Sequence, residues 1–334
     1  MQCGSAGQKR ANLRSVNTPV GPELQPAIDA LRAGGLCAIP TETVYGLAAN
    51  ALLPDAVVRI FEVKRRPAFD PLIVHVGDTA AAQRVTTSWT DAAHALAARF
   101  WPGPLTLVLP RSEAIPDIVT SGLATVGVRV PAHPVTLELL RQLDFPLAAP
   151  SANPFGYISP TTAQHVTDQL DGMIDYILDG GPCQVGIEST IVDCSGPETT
   201  VLRLGGLSLE AIERTIGQVS VNLHSSSRPG APGMLTAHYA PSKPLRLVHS
   251  LIEERSSEWQ QGRVLAWQNI PEGLSGEILS PAGDLHEAAR ELFTLLRRLD
   301  SGEGSFLIAE QVPDTGLGRA INDRLRRAAA GSTP

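Results

Sequence analysis

Helical and strand patterns alternate along residues 22–216, and this alternation restricts the fold more than any other feature of the chain. In chain order, apolar residues at helical spacing and short apolar runs give the segments LQPAIDALRAG, LCAIP, PDAVVRIFEVK, LIVHV, DAAHALAARFW and LTLVLP. Further strands are predicted at VGVRV, STIVD and TVLRL, and further helices at PVTLELLRQL, TTAQHVTDQL and SLEAIERTIG. The pattern predicts an α/β domain.

The rest of the chain divides at a stretch without apolar periodicity. Residues 217–244 are rich in Ser, Pro and Gly and are predicted to form a linker. Residues 245–334 return to alternating strands and helices, which predicts a second and smaller α/β domain. Residues 1–21 are polar and aperiodic, which is typical of a flexible tail. Because single cores rarely exceed roughly 250 to 300 residues, two domains are expected in 334 residues.

Charge and composition narrow the class of protein. A net charge of −7, with 43% hydrophobic and 18% charged residues, is typical of a soluble globular protein and argues against a surface built mainly for nucleic acid. No apolar run has the length of a membrane span or the layout of a signal peptide, so a cytoplasmic protein without a membrane partner is expected. The four cysteines form no C-x-x-C pair, which predicts free thiols.

Motifs of the common nucleotide and hydrolase sites are missing. The sequence contains no G-x-x-x-x-G-K-[ST] loop, and no G-x-G-x-x-G segment opens a predicted helix. The segment HEAAR lacks the second histidine of a zinc-protease helix, and GIEST has Glu188 where a nucleophile elbow requires serine. Covalent catalysis therefore has no visible pair of nucleophile and base.

Three consecutive cations end one predicted helix, although the chain is acidic overall. They are Lys64, Arg65 and Arg66, and Pro67 follows them. Since proline has no amide hydrogen and pushes the preceding residue into an extended conformation, the cations are predicted to be displayed at the helix end. Offsetting the helix dipole would explain one or two of them, and binding of an anion is the alternative.

Two arginines lie within apolar strands, where a guanidinium group needs an anion or a carboxylate as its partner. Arg129 is part of VGVRV, and Arg203 is part of TVLRL. Strand alternation puts Arg129 on the same face as Gly127. A structural salt bridge and a bound anion would both satisfy this pattern.

Hydroxyl groups follow several predicted strands. Thr41, Thr43 and Tyr45 lie in PTETVYGL, Ser189 lies at the start of a later strand, and residues 148–162 form a long polar loop. Loops at strand ends are where α/β folds bind ligands, although threonines also cap strands and helices there. Without an acid and base pair beside them, the hydroxyls and cations predict a site that binds a polyphosphate and works by positioning and charge neutralisation.

These segments, in this order, resemble the YrdC/Sua5 family. The matching motifs are PTETVYGL, K-x-R-P followed by PLIVHV, WPGPLTLVL, VGVRVP, PSAN, GIESTIVD and LRLG. The segment HYAP and the small second α/β unit resemble the two-domain Sua5 branch of that family, and the likeness covers roughly residues 24–330. It implies a twisted mixed-sheet N-terminal domain with a positively charged concave face, a linker, and a small Rossmann-like C-terminal domain.

The resemblance implies an L-threonylcarbamoyladenylate synthase, which is a nucleotidyltransferase. Such an enzyme converts L-threonine, bicarbonate and ATP into threonylcarbamoyl-AMP and pyrophosphate. This is the first step toward N6-threonylcarbamoyladenosine at position 37 of certain tRNAs, so the tRNA threonylcarbamoyl-transfer machinery would be the downstream partner. Mg²⁺ would enter with ATP, its ligands are not identified, and no organic cofactor is implied.

Site residues are carried over from the family by matching position. Those that match contacts to threonine are Thr43, His75, Arg129 and Ser189. Arg129 would hold the threonine carboxylate, and His75 would orient the amine or the carbamate. Those assigned to the ATP site are Lys64, Arg66, Asp70, Thr125, Ser151, Asn153, Ser159, Arg203 and Tyr239, with Lys64 and Arg66 as the catalytic pair. Tyr239 would close over the nucleotide as part of a lid formed by the linker.

One position departs from the family, because Asp70 stands where Asn usually precedes PLIVH. A carboxylate beside a triphosphate would repel it unless the side chain turns outward or helps to hold Mg²⁺.

Two other functions stay open. One is a non-catalytic YrdC-type protein that binds double-stranded RNA or tRNA. The other is a carbamoyltransfer domain of the hydrogenase-maturation type, although its accessory zinc-finger and acylphosphatase regions have no counterpart here. Residues 245–334 carry ten arginines and no lysine against thirteen acidic residues, a net charge of −3. This balance argues against autonomous RNA binding by the second domain, and at most weak RNA binding is expected of the chain.

Overall fold

The computed structural model describes residues 17–223, 231–232 and 238–331. Within these residues the strands form two sheets, one of eleven strands and one of four. The strands of the first sheet are β1 (Val20–Gly21), β2 (Cys37–Ile39), β3 (Gly46–Asn50), β4 (Ile73–His75), β5 (Leu105–Pro110), β6 (Thr125–Arg129), β7 (Leu147–Ala148), β8 (Tyr176–Leu178), β9 (Thr190–Asp193), β10 (Thr200–Arg203) and β11 (Ser220–Val221).

The first sheet is mixed, with the order β1-β8-β2-β3-β7-β4-β6-β5-β9-β10-β11. Strand β4 pairs with β6 in parallel and with β7 in antiparallel orientation. The β4–β6 register sets His75 opposite Arg129. The predicted mixed α/β sheet is confirmed, and its register brings together two side chains that the sequence separates.

Eight helices accompany the first sheet among the described residues. They are α1 (Leu24–Arg32), α2 (Pro54–Lys64), α3 (Thr79–Arg84), α4 (Asp91–Phe100), α5 (Asp117–Thr120), α6 (Pro134–Gln142), α7 (Ala163–Leu170) and α8 (Leu209–Ile216). Helix α2 begins with a proline, whose missing amide hydrogen costs nothing in a first turn, and it buries Val57, Ile60 and Phe61. It ends where Arg65 adopts a left-handed conformation with φ of 52°.

Strand β3 differs from the sequence prediction. No strand was predicted after LCAIP in the segment PTETVYGL, but residues 46–50 form a buried strand antiparallel to β2. A β-carbon on Gly46 would lie 3.3 Å from the Ala149 β-carbon. A small residue is needed there because the chain passes close to a neighbouring segment on that face.

The first domain extends beyond the predicted limits at both ends. Strand β1 lies inside the predicted tail of residues 1–21 and pairs with β8, and the Thr18 hydroxyl donates to the Ile174 carbonyl at 3.0 Å. Strand β11 lies inside the predicted linker of residues 217–244 and pairs with β10. Composition did not reveal these two-residue strands because they gain their order from neighbouring strands. Residues 1–16 of the predicted tail lie outside the described residues.

The second domain is a small parallel α/β unit, as the Rossmann-like prediction requires. Its sheet has the order β12-β15-β13-β14, and all three pairings are parallel. Its elements are β12 (Leu245–Val248), a short 3-10 helix (Ser257–Gln261), β13 (Arg263–Ala266), β14 (Gly276–Ile278), α9 (Leu285–Ser301), β15 (Leu307–Glu310) and α10 (Gly318–Gly331). The predicted polar helix between the first two strands is only the 3-10 helix. No helix in the described part of the chain is long and apolar enough to cross a membrane.

The two domains pack closely through α9 and α10. Ile158 and Ile187 of the first domain share one hydrophobic cluster with Leu292 and Phe293 of α9. Gly186 lies so near α9 that a β-carbon on it would come within 2.3 Å of the Arg290 α-carbon. Helices of the second domain therefore pack directly against the core of the first domain.

Candidate active site

A cavity of about 50 Å³ lies between the ends of four strands and the described residues of the predicted linker. The strands are β4, β6, β9 and β10. Its lining includes eight of the residues predicted from the sequence: Thr43, Arg66, His75, Arg129, Ser151, Ser189, Arg203 and Tyr239. Glu188, Pro232 and His238 line it as well. The fold thus gathers residues from most of the length of the first domain around one space.

Arg129 lines this cavity and is held by a buried carboxylate. Its Nη2 atom donates to Glu42 Oε1 at 2.6 Å, and its Nε donates to the Gly103 carbonyl at 3.3 Å. Glu42 Oε2 accepts the Ala132 amide at 3.0 Å, so both carboxylate oxygens are bonded. The sequence left a salt bridge and a bound anion open for Arg129. The structure contains the salt bridge and also gives the guanidinium a place on the cavity wall.

His75 is a neutral, buried side chain opposite Arg129. Burial, together with the nearby Arg129 guanidinium, lowers the pKa of His75 to about 3. Its Nδ1 atom has no hydrogen-bond partner of good geometry among the described residues. An uncharged imidazole at a cavity can accept or donate a hydrogen bond without bringing a charge.

Ser189 and Arg203 form a second polar group of the cavity. The Ser189 hydroxyl lies 2.8 Å from the Thr106 hydroxyl, and Arg203 Nη2 donates to that Ser189 hydroxyl at 3.1 Å. Arg203 Nε also donates to the Ser189 carbonyl at 3.0 Å. Gly205 permits this packing, because a β-carbon there would lie 2.3 Å from the Glu188 carbonyl oxygen. Burial lowers the pKa of Arg203, and the nearby Tyr239 and Glu188 oppose this shift.

The burial of Lys64 differs from the sequence prediction. The sequence predicted that Lys64 and Arg66 are displayed at the helix end, but only 1% of Lys64 and 8% of Arg66 are exposed. Lys64 Nζ donates to the carbonyls of Ser151 and Asn153. Burial and the neighbouring Arg66 lower the pKa of Lys64, while Asp70 opposes this shift. The polar loop of residues 148–162 folds back over the end of α2, and the local sequence does not predict this contact. Arg65 is exposed, as expected.

Asp70 is the partner of Arg66. Its Oδ2 lies 2.9 Å from Arg66 Nη2, although without the alignment of a good hydrogen bond. Arg66 instead donates to the carbonyls of Asp70 and Pro71, at 3.0 and 2.9 Å. Burial raises the pKa of Asp70, and Arg66, Lys64 and Arg203 oppose this effect. The side chain does not turn outward, which was one of the two arrangements expected; it faces the cation that lines the cavity.

The other predicted ATP residues lie at different distances from the cavity. Ser151 lines it, whereas Asn153 is buried and donates to the Pro154 and Tyr157 carbonyls at 2.8 and 3.0 Å. The Ser159 hydroxyl donates to Glu188 Oε1 at 2.6 Å and therefore lies behind the wall. Thr125 lies on a second, smaller cavity of about 10 Å³, which shares Ile73 and Pro232 with the first.

The predicted linker reaches the cavity at two described points. Arg203 Nη1 donates to the Pro232 carbonyl at 3.2 Å. Tyr239 is buried and adopts a left-handed conformation with φ of 63°, a strained geometry for a residue with a β-carbon. Its ring packs 4.1 Å from the His238 ring and 5.6 Å from the Phe293 ring of α9. The remaining linker residues, 224–230 and 233–237, lie outside the described residues.

Three charged residues were not found from the sequence. Glu42 holds Arg129, Glu188 lines the cavity, and Arg324 of α10 donates from Nε to Glu188 Oε2 at 3.0 Å. Glu42 lies inside PTETVYGL and Glu188 inside GIESTIVD, so the motifs contained a signal. Arg324 gives none, because nothing in the final helix distinguishes it from the arginines beside it.

No group of three or more His, Cys, Asp or Glu side chains that could hold a metal ion occurs among the residues that the structure describes. The cysteines within that range, Cys37, Cys183 and Cys194, are free and buried, and burial raises the pKa of each thiol. Within that range, the cavity therefore has neither a cluster of metal ligands nor a thiolate beside it.

Two protein-family models match the chain. Residues 29–205 match the Sua5/YciO/YrdC family, described as telomere recombination, and residues 207–330 match the C-terminal domain of threonylcarbamoyl-AMP synthase. A threonylcarbamoyl-AMP synthase of Bacillus subtilis is 42% identical over 324 residues, which cover 93% of this chain and 94% of the relative. One of Pyrococcus abyssi is also 42% identical, over 318 residues, covering 92% and 94%.

Solved structures agree with this relationship. The crystal structure of Pyrococcus abyssi Sua5 complexed with L-threonine superposes with a TM-score of 0.86 at 40% identity, covering 94% of this chain and 97% of that one. A variant of the same archaeal protein, with an adjacent histidine and tyrosine both replaced by alanine, superposes with a TM-score of 0.85 at 38% identity, covering 94% and 96%. The chain belongs to the Sua5/YciO/YrdC family, in the two-domain branch that carries the C-terminal domain of threonylcarbamoyl-AMP synthases.

Proposed function

We propose that this protein is an L-threonylcarbamoyladenylate synthase. It converts L-threonine, bicarbonate and ATP into threonylcarbamoyl-AMP and pyrophosphate, and passes the adenylate to the tRNA-modifying machinery in the cytoplasm. The single observation that carries the proposal is the cavity in which His75, Arg129 and Ser189 lie beside Arg66 and Arg203. The names of the Bacillus and Pyrococcus relatives and the threonine complex of the archaeal protein support the choice of substrate.

The chemistry needs no nucleophile from the protein. The neutral amine of threonine attacks bicarbonate, and the products are a carbamate and water. A carbamate oxygen then attacks the α-phosphorus of ATP, the bond from that phosphorus to the bridging oxygen breaks, and pyrophosphate leaves. The protein has to hold two anions together and neutralise their charge, which accounts for a site of cations and hydroxyls without a catalytic triad.

Each wall of the cavity takes one substrate in this proposal. Thr43, His75, Arg129 and Ser189 hold threonine, with Arg129 on the carboxylate and the neutral His75 on the amine or carbamate. The ATP side is assigned to Arg66, Ser151, Arg203 and Tyr239, which line the cavity. The other residues assigned to ATP do not line it: Thr125 lies on the adjoining smaller cavity, and Lys64, Asn153 and Ser159 are buried beside the wall. The Pyrococcus variant with its His-Tyr pair replaced supports a role for Tyr239, because this sequence contains a single His-Tyr pair, His238 and Tyr239.

Mg²⁺ enters the proposal as the counterion of ATP. The described residues offer no cluster of three metal ligands, so the protein is not expected to hold the ion by itself. Asp70, the acidic residue considered for this role, faces Arg66 at 2.9 Å. Its proposed role is to hold Arg66 toward the cavity.

The alternative, a non-catalytic protein that binds double-stranded RNA or tRNA, is less well supported. Binding of a nucleic acid backbone needs exposed cations, since phosphates of a duplex cannot enter a small cavity. Lys64, Arg66, Arg129 and Arg203 are all at least nine-tenths buried. Their burial favours a small anionic substrate.

Conversion of ATP to pyrophosphate by the purified chain tests the proposal. We expect it to require both threonine and bicarbonate. Lys64→Ala and Arg66→Ala should each reduce the rate at least tenfold, because loss of a charge-assisted hydrogen bond costs about 1.5 to 3 kcal/mol. Arg65→Ala is the matched control, since Arg65 is the exposed neighbour of both and should retain activity. Pyrophosphate release at an undiminished rate without threonine would refute the proposed reaction.

A further inference from the structure

Arg324 of α10 is a completely buried arginine that the second domain places behind the cavity. None of its surface is exposed. Its Nε donates to Glu188 Oε2 at 3.0 Å, its Nη1 to Asp323 Oδ2 at 2.9 Å, and its Nη2 to the Leu204 carbonyl at 2.7 Å. Two of these three partners belong to the first domain, so the side chain joins the domains at a specific point.

Glu188 is the carboxylate that this arginine holds. Glu188 lines the cavity, its Oε1 accepts the Ser159 hydroxyl at 2.6 Å, and its Oε2 accepts Arg324. Both carboxylate oxygens are therefore bonded, one to a hydroxyl of the first domain and one to a guanidinium of the second. The residue after Glu188 is Ser189, and the residue before Leu204 is Arg203, so Arg324 contacts both chain segments that carry this polar group of the site.

Arg324 also contacts the linker. Its guanidinium carbon lies 5.2 Å from the centre of the Tyr239 ring, within the range of a cation–π interaction. The same ring stacks with Phe293 of α9, with 5.6 Å between the ring centres. Burial would lower the pKa of Arg324, but Tyr239, Glu188 and Asp323 outweigh this effect and raise it. The guanidinium therefore stays charged.

We propose that Arg324 is a positioning residue through which the C-terminal domain neutralises Glu188 and keeps the ATP side of the cavity able to bind an anion. The inference rests on the proposed function, because it takes the triphosphate of ATP as that anion. It assigns the second domain a direct task in the site of the first. Without Arg324, an unpaired carboxylate would face the triphosphate in a poorly solvated cavity, where repulsion between like charges is strong.

The test measures ATP affinity directly, by equilibrium titration, and the KM values for ATP and threonine in the pyrophosphate assay. For Arg324→Met we expect ATP affinity to fall at least tenfold and the KM for threonine to change much less. Adding Glu188→Gln to Arg324→Met removes the unpaired charge and should restore most of the ATP affinity.

Arg319→Met is the matched control. Arg319 lies on the same helix and also joins the domains, donating to Glu210 of α8 at 2.6 Å, but neither residue lines the cavity. We expect this variant to bind ATP as the unmodified protein does. Loss of an interdomain contact by itself would weaken ATP binding in both variants. Because 32% of the Arg319 side chain is exposed and Arg324 is fully buried, the double variant is the control for the loss of a buried arginine.

Two results would overturn the inference. One is equal ATP affinity in Arg324→Met and Arg319→Met, and the other is a double variant that binds ATP as weakly as Arg324→Met alone. If the single variant does not fold, the double variant decides: near-normal ATP affinity supports the inference and weak binding refutes it. If the unmodified protein binds ATP but shows no threonine-dependent turnover, the proposed function is refuted instead. The ATP affinities of the variants would still test the role of Arg324.

Discussion

Two of the buried ion pairs beside the cavity are built in opposite ways, and Arg66 with Asp70 forms a third. In the first pair, Arg129 lines the cavity and Glu42 holds it from behind, and both residues belong to the first domain. In the second pair, the carboxylate of Glu188 lines the cavity and Arg324 holds it from behind, from the second domain. Each pair leaves little exposed surface, with relative exposure of the side chains between 0% and 8%.

The difference separates two tasks that a buried ion pair can perform. Glu42 orients a cation that can bind a carboxylate, so the first pair offers charge to a ligand. Arg324 neutralises a carboxylate that would repel a phosphate, so the second pair reduces the negative charge at the cavity. Burying two charges is expensive and often contributes little stability, whereas removing one partner leaves an uncompensated charge. A variant that breaks either pair should therefore have a large effect.

The largest effect is expected when the first pair is broken. Arg129→Met leaves Glu42 buried without its cation, and we expect the free energy of unfolding to fall by about 3 to 5 kcal/mol, measured by chemical denaturation. Threonine-dependent pyrophosphate release should be lost as well. Adding Glu42→Gln should recover part of the stability but not the activity. Unchanged stability of Arg129→Met would mean that the pair is solvated, and the comparison of two buried ion pairs would then fail.

A smaller effect is expected when the domains are pushed apart, which moves the helices of the second domain relative to Glu188. Gly186→Ala introduces a β-carbon 2.3 Å from the Arg290 α-carbon at a residue with φ of +79°, so we expect a loss of about 1 to 3 kcal/mol and weaker ATP binding. Gly122→Ala is the control, since Gly122 has φ of +76° and nothing within 4 Å of such a β-carbon. Equal loss in both variants would show that backbone strain, and not domain contact, matters.

The smallest effect is expected from pH at the first wall. The pKa of His75 falls from 6.5 to about 3 on folding, so the unfolded chain binds more protons between these values. Stability is therefore lost as pH decreases below 6.5, and between pH 6.5 and 5.5, where it is to be measured, this residue accounts for at most roughly 1.4 kcal/mol. His75→Gln should reduce the slope of stability against pH, and His249→Gln, at an exposed histidine, should not. Identical slopes in His75→Gln and the unmodified protein would mean that His75 is not buried.

Local patterns predicted most of the architecture. The alternation of helical and strand periods identified the α/β domains and most strands of the first sheet, because these periods depend on residues only a few positions apart. Strands β3 and β8 and the two-residue strands β1 and β11 were missed, because pairing with distant segments creates them. Arg129 and Ser189 were identified as candidates from residue type within a strand or at its end, and the structure places both on the cavity wall.

The sequence by itself determined which residue types stand at the strand ends, and its motifs were specific enough to predict the family. Only the tertiary structure decided that Lys64 and Arg66 are buried and which carboxylate each buried arginine meets. Arg129 and Glu42 are 87 positions apart, and Arg324 and Glu188 are 136 positions apart. No local pattern connects such residues, because burial and charge pairing depend on which segments the completed core brings together.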